Sequence, residues 1–188
     1  FMQEPHELHW KVAKWILHYV RGTYADGIHY HGGVDIDLIG FTDSDWAGDL
    51  DHQKSTSGYS FSLGSGPISW SSKKQNAIAI SSTEAEYRGA VNAATEAIWL
   101  QGILTEFGIH FRWPTIIYCD NMSTISICRN LVQHQQTKHI EIHMHFIREL
   151  IHDGIIDIQY IQTADQIADL FTKPFTEMKF LHLRSLLG

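Results

Sequence analysis

The spacing of apolar residues in the first third of the chain predicts one α-helix followed by three β-strands. Apolar residues recur at the helical period after Pro5, and Gly22 is a natural terminator of that helix. Residues 37–43 form an apolar run, and residues 57–63 alternate between polar and apolar in the way typical of a strand. The turn sequence GSGP then leads into a third strand candidate at 68–80.

The longest helical pattern begins near Ser82 and ends near Phe107. Ser81 and Glu84 have the spacing of a capping box at its start, and Gly108 is positioned as its C-terminal cap. The remaining pattern predicts strands at 115–119 and 155–161, and helices at 122–129, 139–152, 165–171 and 177–187. This order of elements predicts an α/β fold in which a five-stranded mixed sheet is flanked by helices.

The segment GGVDID, at 32–37, marks a boundary between the first helix and the remainder of the chain. The 188 residues are therefore expected to comprise a helical segment, residues 1–33, and one main domain, residues 34–188. Because the sequence opens at Phe1 without an initiator methionine, a fragment cut from a longer polypeptide is expected.

Cysteine content and hydropathy indicate an intracellular protein. The two cysteines, Cys119 and Cys128, are expected to be buried thiols and not a disulfide. The sequence contains neither a signal peptide nor an apolar run of membrane length, so no membrane partner is expected.

The net charge of −7 is unusual for a protein that binds nucleic acid, because Lys and Arg usually supply the phosphate contacts. Lys73 and Lys74 lie in a polar stretch where they could contact phosphates, although a solvated loop explains them too. Trp46 and Trp70 could stack on bases or sugars, but aromatic residues at strand positions more often lie in the core. Modest affinity of the isolated domain for nucleic acid is expected.

Several carboxylates occur where strands end or helices begin, which are positions that a scaffold can hold rigidly in one cleft. Asp43 and Asp120 each end an apolar run. Glu86 lies in the first turn of the long helix, and Asp169 lies near the start of a short one. Converging carboxylates repel one another unless cations separate them, and hard oxygen ligands suit Mg²⁺ or Mn²⁺. Two such ions can clamp the attacking and leaving oxygens of a phosphodiester.

Three of these acids have a close competitor in the sequence, and the first two lie in the first predicted strand and at the start of the long helix. Asp45 lies two residues after Asp43 on the same face of a strand, so either could bind metal and Asp45 could be an auxiliary acid. Glu84 lies two residues before Glu86, but its capping-box spacing gives it a structural role and leaves Glu86 free. Acids in the first turn of a helix are also common for dipole reasons alone.

Asp165 and Asp169 pose the same question at the start of the short helix. Asp165 resembles an N-cap, so the metal role is assigned to Asp169, although the spacing alone favours that choice only slightly. Asp120 has no such competitor. It is followed by Asn121, which is a candidate contact for a substrate.

Thirteen histidines are present, and some are close together in the sequence. His139 and His143 have the i, i+4 spacing of a helical metal pair, but neither a cysteine cluster nor an HExxH motif supports a zinc site. A structural role for His139, by packing or hydrogen bonding, is the simpler expectation.

Long sequence blocks extend around the candidate acids. These are FTDSDWAGDLDHQKSTSGY (41–59), ISWSSKKQNAIAISSTEAEYRGA (68–90), IYCDNMSTISI (117–127), TKHIEIHMHFIRE (137–149) and DQIADLFTKP (165–174). In this order they closely resemble the ribonuclease H domain at the end of the polymerase region of copia-type retrotransposons. The stretch HWKVAKWILHYVRGT (9–23) resembles the segment that joins the reverse transcriptase of that family to its ribonuclease H.

The resemblance implies a ribonuclease H-like fold and a nuclease that uses two Mg²⁺ or Mn²⁺ ions. The implied catalytic acids and metal ligands are Asp43, Glu86, Asp120 and Asp169. The motif of the family places the catalytic acid directly after a Thr, which favours Asp43 over Asp45. The implied substrate is an RNA/DNA hybrid, the implied partner is the reverse transcriptase domain of the same polyprotein, and the implied location is a cytoplasmic particle or the nucleus.

Some ribonucleases H carry a mobile histidine that assists product release, and His134 or His139 could act in this way. Trp15, His18 and the pair Glu141 and His143 depart from the usual pattern of the family, which leaves open a decayed or host-adopted copy. The main alternative is thus a catalytically silent module that binds or tethers nucleic acid or mediates dimerisation. An integrase-like nuclease is a more distant alternative, because the surrounding motifs do not match.

Overall fold

The computed structural model of the chain describes residues 3–33, 35–48, 53–129 and 138–188, with side chains from residue 145 onward in the last range. The described strands are β1 (Leu38–Asp45), β2 (Thr56–Leu63), β3 (Gly66–Lys74), β4 (Thr115–Cys119) and β5 (Ile156–Tyr160). The described α-helices are α1 (Glu7–Thr23), α2 (Ser82–Glu106), α3 (Met122–Arg129), α4 (Lys138–His152) and α5 (Glu177–Leu187). Two 3₁₀ turns, Thr163–Asp165 and Ile167–Phe171, lie between β5 and α5.

The strands form one sheet in the order β3-β2-β1-β4-β5. β1 pairs antiparallel with β2, and β2 pairs antiparallel with β3, whereas β1, β4 and β5 run parallel. The predicted five-stranded mixed sheet is therefore confirmed. Because β1 and β4 are parallel neighbours, their carboxyl ends lie at the same edge of the sheet, where α/β proteins commonly build their sites.

Helix α2 packs against the sheet through an alanine-rich face. Five alanines of this helix are fully buried: Ala85, Ala90, Ala93, Ala94 and Ala97. A Cβ atom at Gly89 would lie 2.5 Å from the Oγ of Ser44, so the helix approaches β1 at a distance that glycine permits. This close approach places the first turns of α2 beside the carboxyl end of β1.

The start of α2 is capped as predicted by Ser81, whose Oγ accepts a hydrogen bond from the backbone N–H of Glu84 at 3.1 Å. The carboxylate of Glu84 reaches back to the backbone N–H of Ile80 at 2.9 Å, one residue earlier than in a regular capping box. It also forms an ion pair with Arg88 at 2.7 Å. Glu84 therefore has structural partners both before α2, at Ile80, and one turn further along the helix, at Arg88.

Strand β3 ends at Lys74, six residues before the predicted end at 80. The reason is Gln75, a buried residue whose side-chain amide donates to the Ser57 Oγ at 2.7 Å and to the Ala85 carbonyl at 3.0 Å. These bonds turn the chain from the sheet toward α2. The apolar sequence that follows continues the strand pattern, but it forms a loop.

The predicted helix at 165–171 is wrong in its detail, because two 3₁₀ turns occupy this region. The residue between them, Gln166, has an extended backbone and is fully buried. Its amide donates to the Thr42 carbonyl at 3.1 Å, and its Oε1 accepts from the Ala168 N–H at 3.2 Å. Gln166 is therefore the N-cap of the second turn, and Asp165 does not have the capping role that its sequence position indicated.

Helix α1 is amphipathic, but none of its residues is buried. Trp10, Trp15 and Leu17 are each more than half exposed. The segment after α1 does contact the sheet and α5: the Tyr30 hydroxyl donates to the Pro67 carbonyl at 2.5 Å, and Asp26 pairs with Arg184. The division at residues 33 and 34 stays a prediction. In the described part of the chain, no helix combines the length and apolar character needed to cross a bilayer.

Candidate metal centre

Three predicted acids meet at the carboxyl ends of β1 and β4. Asp43 lies near the end of β1 and is fully buried, and Asp120 directly follows β4 and is half-buried. Asp169 belongs to the second 3₁₀ turn and is also fully buried. One carboxylate oxygen from each of these residues lies within 4.8 Å of the others. Residues far apart in the sequence thus form one compact group of oxygen ligands.

Glu86 joins this group from the first turns of α2. Its carboxylate oxygen lies within 4.8 Å of one from Asp120 and of the Cys119 sulfur. The backbone N–H of Ser44 donates to it, yet Oε2 is buried without a hydrogen-bond partner in the described part of the chain. Burial, and then the charges of Asp43 and Asp120, raise the pKa of Glu86 to about 9. A carboxylate in this position has one oxygen available for a cation.

Gly58 explains how the second 3₁₀ turn reaches Asp43. Gly58 lies opposite Asp43 in the pairing of β1 with β2. A Cβ atom at Gly58 would come within 2.8 Å of the Phe171 Cβ and would push the turn away from the strand. The lack of a side chain at this position lets Asp169 approach Asp43.

Lys173 is a residue of this site that the sequence analysis missed. Its ammonium donates to Oδ1 of Asp43 at 3.0 Å and to Oδ1 of Asp169 at 2.9 Å. The Thr172 hydroxyl donates to the other oxygen of Asp43, and the Lys179 ammonium donates to the other oxygen of Asp169 at 3.1 Å. The i, i+4 spacing of Asp169 and Lys173 was the available signal in the sequence.

Burial and charge act in opposite directions on these groups. Burial raises the pKa of Asp43, and the Lys173 ammonium and the Thr172 hydroxyl oppose that rise. Burial disfavours the charged form of Lys173, but the carboxylates of Asp43 and Asp169 outweigh it and raise its pKa. The buried acids are therefore stabilised by a cation that the chain itself provides.

The group has the chemistry of a divalent-cation site. The ligands are carboxylate oxygens, which Mg²⁺ and Mn²⁺ prefer, and the two overlapping clusters share Asp120. Burial raises the pKa of the Cys119 thiol far above its ordinary value, and so the sulfur stays neutral and is a poor ligand. The unpartnered oxygen of Glu86 supports the fit, because a buried carboxylate oxygen needs a donor or a cation.

Other predicted site residues lie outside this group. Asp45 is half-buried, and its carboxylate occupies the space that a Cβ at Gly48 would fill, so it lies against the turn after β1. Asn121 caps α3 through its Oδ1, which accepts from the Thr124 N–H at 3.0 Å. The roles predicted for Asp45 and Asn121 stay predictions.

The remaining candidates differ in how far the structure describes them. Lys73 and Lys74 are exposed at the end of β3. His139 and His143 lie in α4, but their side chains are outside the described part of the structure, and His134 lies outside the described residues altogether.

The expectation that Trp46 and Trp70 lie in the core is wrong. Trp46 is 49% exposed and Trp70 is 54% exposed. The Trp46 indole N–H donates to the Ala79 carbonyl at 3.1 Å, which fixes the ring between the end of β1 and the loop before α2. By contrast, Cys119 and Cys128 are free, buried thiols as predicted.

The sequence is similar along its whole length to segments of transposon polyproteins. It is 44% identical over 188 residues to the retrovirus-related Pol polyprotein from transposon RE1 of Arabidopsis thaliana, covering all of this chain and 13% of that protein. It is 42% identical over 188 residues to the corresponding polyprotein from transposon TNT 1-94 of Nicotiana tabacum, covering all of this chain and 14% of that protein. The chain thus spans about one seventh of the length of these relatives. No family model matches the chain.

Solved structures show the same fold at low sequence identity. The N-terminal ribonuclease H domain of rv2228c from Mycobacterium tuberculosis superposes with a TM-score of 0.54 at 13% identity, covering 82% of this chain and all of that one. LC11-RNase H1, solved in complex with an RNA/DNA hybrid, gives a TM-score of 0.54 at 13% identity, covering 72% of this chain and 94% of that one. The predicted ribonuclease H-like fold is confirmed.

Proposed function

The chain belongs to the family of Pol polyproteins of copia-type retrotransposons, in which it is the segment with the ribonuclease H fold, and we propose that it is a metal-dependent endonuclease. Its proposed reaction is hydrolysis of the RNA strand of RNA/DNA hybrids during reverse transcription. The observation that carries this proposal is the convergence of Asp43, Glu86, Asp120 and Asp169 at one edge of the sheet.

Four carboxylates are the proposed ligands of two Mg²⁺ or Mn²⁺ ions. Asp43, Asp120 and Asp169 form one ligand group, and Glu86 with Asp120 forms the other. The chemistry that such ions supply is activation of a water molecule and neutralisation of the charge on the phosphodiester. With the ions bound, hydrolysis would break the P–O3′ bond of the RNA strand, so that water adds to phosphorus and the products carry 3′-hydroxyl and 5′-phosphate ends.

The protein contributes fixed positions for these ligands. The hydrogen bond from the Ser44 backbone orients Glu86, and the packing of α2 against β1 at Gly89 holds the helix in place. The Thr172 hydroxyl orients Asp43. Preorganised ligands of this kind avoid reorganisation during the reaction, which is how a rigid scaffold contributes to the rate.

The proposed substrate is a nucleic-acid hybrid, as in the solved complex of LC11-RNase H1. Selectivity for RNA would come from contacts to 2′-hydroxyls and from the shape of the hybrid. Lys73 and Lys74 are proposed phosphate contacts, because they lie exposed at the end of β3. The exposed ring of Trp46, held beside the end of β1, is a proposed stacking surface.

The proposed partner is the reverse transcriptase domain of the same polyprotein. The chain covers only 13% of the RE1 polyprotein, so other segments of such a protein are available to hold the substrate. The exposed apolar side chains of α1, including Trp15 and Leu17, form a surface on which such a segment could pack. Phosphate contacts made by a neighbouring domain would also compensate for the weak attraction of nucleic acid to a chain with a net charge of −7.

The test is cleavage of an end-labelled RNA annealed to DNA, with Mg²⁺ or with EDTA, and with duplex RNA and duplex DNA as controls. Asp120→Asn is the matched variant, with its fold checked by circular dichroism. The expected result is metal-dependent cleavage of the RNA in the hybrid alone, lost in the variant. Undiminished cleavage by Asp120→Asn would contradict the ligand assignment. Binding of the hybrid without cleavage would instead favour the silent tethering module.

A further inference from the structure

We propose that Lys173 and a divalent cation compete for the same pair of carboxylates, Asp43 and Asp169, so that binding of the ion displaces the Lys173 ammonium. This inference rests on the proposed metal centre and adds a residue that acts on it. Lys173 is then a positioning residue, which holds the two acids together when no ion is bound to them.

The contacts around the two acids leave no oxygen without a donor. Oδ1 of Asp43 and Oδ1 of Asp169 both accept from Lys173, at 3.0 and 2.9 Å. Oδ2 of Asp43 accepts from Thr172, and Oδ2 of Asp169 accepts from Lys179 at 3.1 Å. A cation that takes both acids as ligands thus meets a positive charge already in contact with the same oxygens.

Simultaneous occupation is unfavourable for electrostatic reasons. An ion bound to these oxygens at about 2.1 Å would lie within a few ångströms of the ammonium. Two positive charges at that separation in a buried site repel strongly, because little solvent screens them. Lys173 carries its charge on a flexible four-carbon stem and its side chain is 31% exposed, so it can move outward to solvent.

The other ligand group differs in this respect. Oε2 of Glu86 has no hydrogen-bond partner in the described part of the chain, although it is buried. A cation bound between Glu86 and Asp120 displaces no donor from that oxygen. The competition with Lys173 therefore concerns the Asp43–Asp169 half of the centre.

The first experiment uses the unaltered protein. Lysines are labelled with acetic anhydride in EDTA or in saturating Mg²⁺, and the labelled peptides are quantified by mass spectrometry. If the ammonium is displaced, labelling of Lys173 should rise several-fold with Mg²⁺, while Lys11 on α1 should be unchanged. Equal labelling of Lys173 in both conditions, in a protein that binds Mg²⁺, would overturn the inference.

The second experiment removes the competing charge. Lys173→Met keeps the length of the side chain, and Lys11→Gln makes the same change in net charge at a remote exposed position. Titration with Mn²⁺ in a calorimeter should give an affinity about tenfold higher for Lys173→Met, as expected when a neighbouring cation is removed from a buried carboxylate pair. Lys11→Gln should match the wild type.

The outcomes separate this inference from the proposed function. An unchanged or weaker affinity for Mn²⁺ in folded Lys173→Met overturns the competition while leaving the metal centre intact. If Lys173→Met fails to fold, the labelling experiment on the wild type decides alone. A wild-type protein that binds neither ion overturns the metal centre itself, and the competition with it.

Discussion

The carboxylate of Asp43 and the ammonium of Lys173 lie in contact at 3.0 Å although they are 130 residues apart in the sequence. The contact joins the end of β1 to the segment that follows the second 3₁₀ turn. Asp43 is fully buried, so its charge depends on this partner and on the Thr172 hydroxyl. Asp43 and Asp169 are thus held by opposite charge, whereas Glu86 is held by the packing of α2 against β1, and each arrangement can be tested separately.

Glu86 and Glu84 lie two residues apart but should respond very differently to the same substitution. Glu86→Gln removes a charge from the proposed metal centre and should lower turnover of the hybrid by at least about a hundredfold. Glu84→Gln should leave turnover nearly unchanged and cost at most about 1 kcal/mol of stability, because Glu84 serves the helix cap and Arg88. Single-turnover cleavage and denaturant melts measure the two effects. Equal losses of turnover would contradict the division of roles.

Glu86 should make the domain less stable as the pH rises when divalent ions are removed. Its pKa is about 9 in the folded chain against 4.5 ordinarily, so between these values the folded chain holds a proton that the unfolded chain has released. The free energy of unfolding then falls with rising pH, by up to about 1.4 kcal/mol for each pH step of one. This contribution of Glu86 to the free energy of unfolding is fully present below about pH 4.5 and is lost as the pH rises to about 9.

Glu86→Gln tests that dependence, because glutamine imitates the protonated carboxyl. In EDTA at pH 8 the variant should be more stable than the wild type by roughly 1–3 kcal/mol, and the difference should shrink at pH 5. Urea unfolding at the two pH values is the measurement. A variant that is less stable than the wild type at pH 8 would show that the Glu86 carboxylate is not the source of repulsion.

Divalent ions should stabilise the folded domain, since the ligand group exists only in the folded chain. Millimolar Mg²⁺ or Mn²⁺ should raise the thermal midpoint by several degrees, and the rise should be smaller in Asp43→Asn. The control is NaCl at matched ionic strength, which relieves repulsion without binding a specific site. A midpoint that rises equally in NaCl would count against the metal centre.

Gly89 should be intolerant of a side chain. A Cβ at this position would lie 2.5 Å from the Ser44 Oγ and 3.3 Å from the Asp43 carbonyl oxygen, so Gly89→Ala should destabilise the domain by roughly 1–3 kcal/mol. Gly102→Ala is the matched control on the same helix, because a Cβ there meets nothing within 4 Å. That substitution should stabilise by up to about 1 kcal/mol. Denaturant melts in which both variants behave alike would contradict the close contact between α2 and β1.

The sheet and the start of α2 could be predicted because their signals are local, whereas the choice of Asp43 over Asp45 and of Asp169 over Asp165 depended on the family resemblance. Asp43 ends an apolar run, and Ser81 and Glu84 mark the start of α2 within four residues. Hydrophobic periodicity reports which side chains face a core, and the order of strands and helices indicates a mixed sheet. These signals need no knowledge of distant partners.

The rest depended on long-range contacts. Gln75 and Gln166 are buried polar residues that end regular structure by bonding to other segments, and a single sequence does not reveal those partners. Lys173 was missed for the same reason, since its partner Asp43 lies 130 residues away. The burial of Trp46 and Trp70 was misjudged because an aromatic residue in or beside a strand is compatible both with the core and with the exposed face of the sheet.

The packing of the second 3₁₀ turn at Gly58 also sets a requirement on synthesis. The five strands in the described part of the chain all precede residue 163, so a ribosome synthesises them before it adds Asp169, Thr172 and Lys173. A product terminated early, by a nonsense codon or by proteolysis after β5, would retain the strands but lack one acid and the cation that pairs with it. Only a transcript translated through this segment therefore yields all four carboxylates of the candidate metal centre together with Lys173.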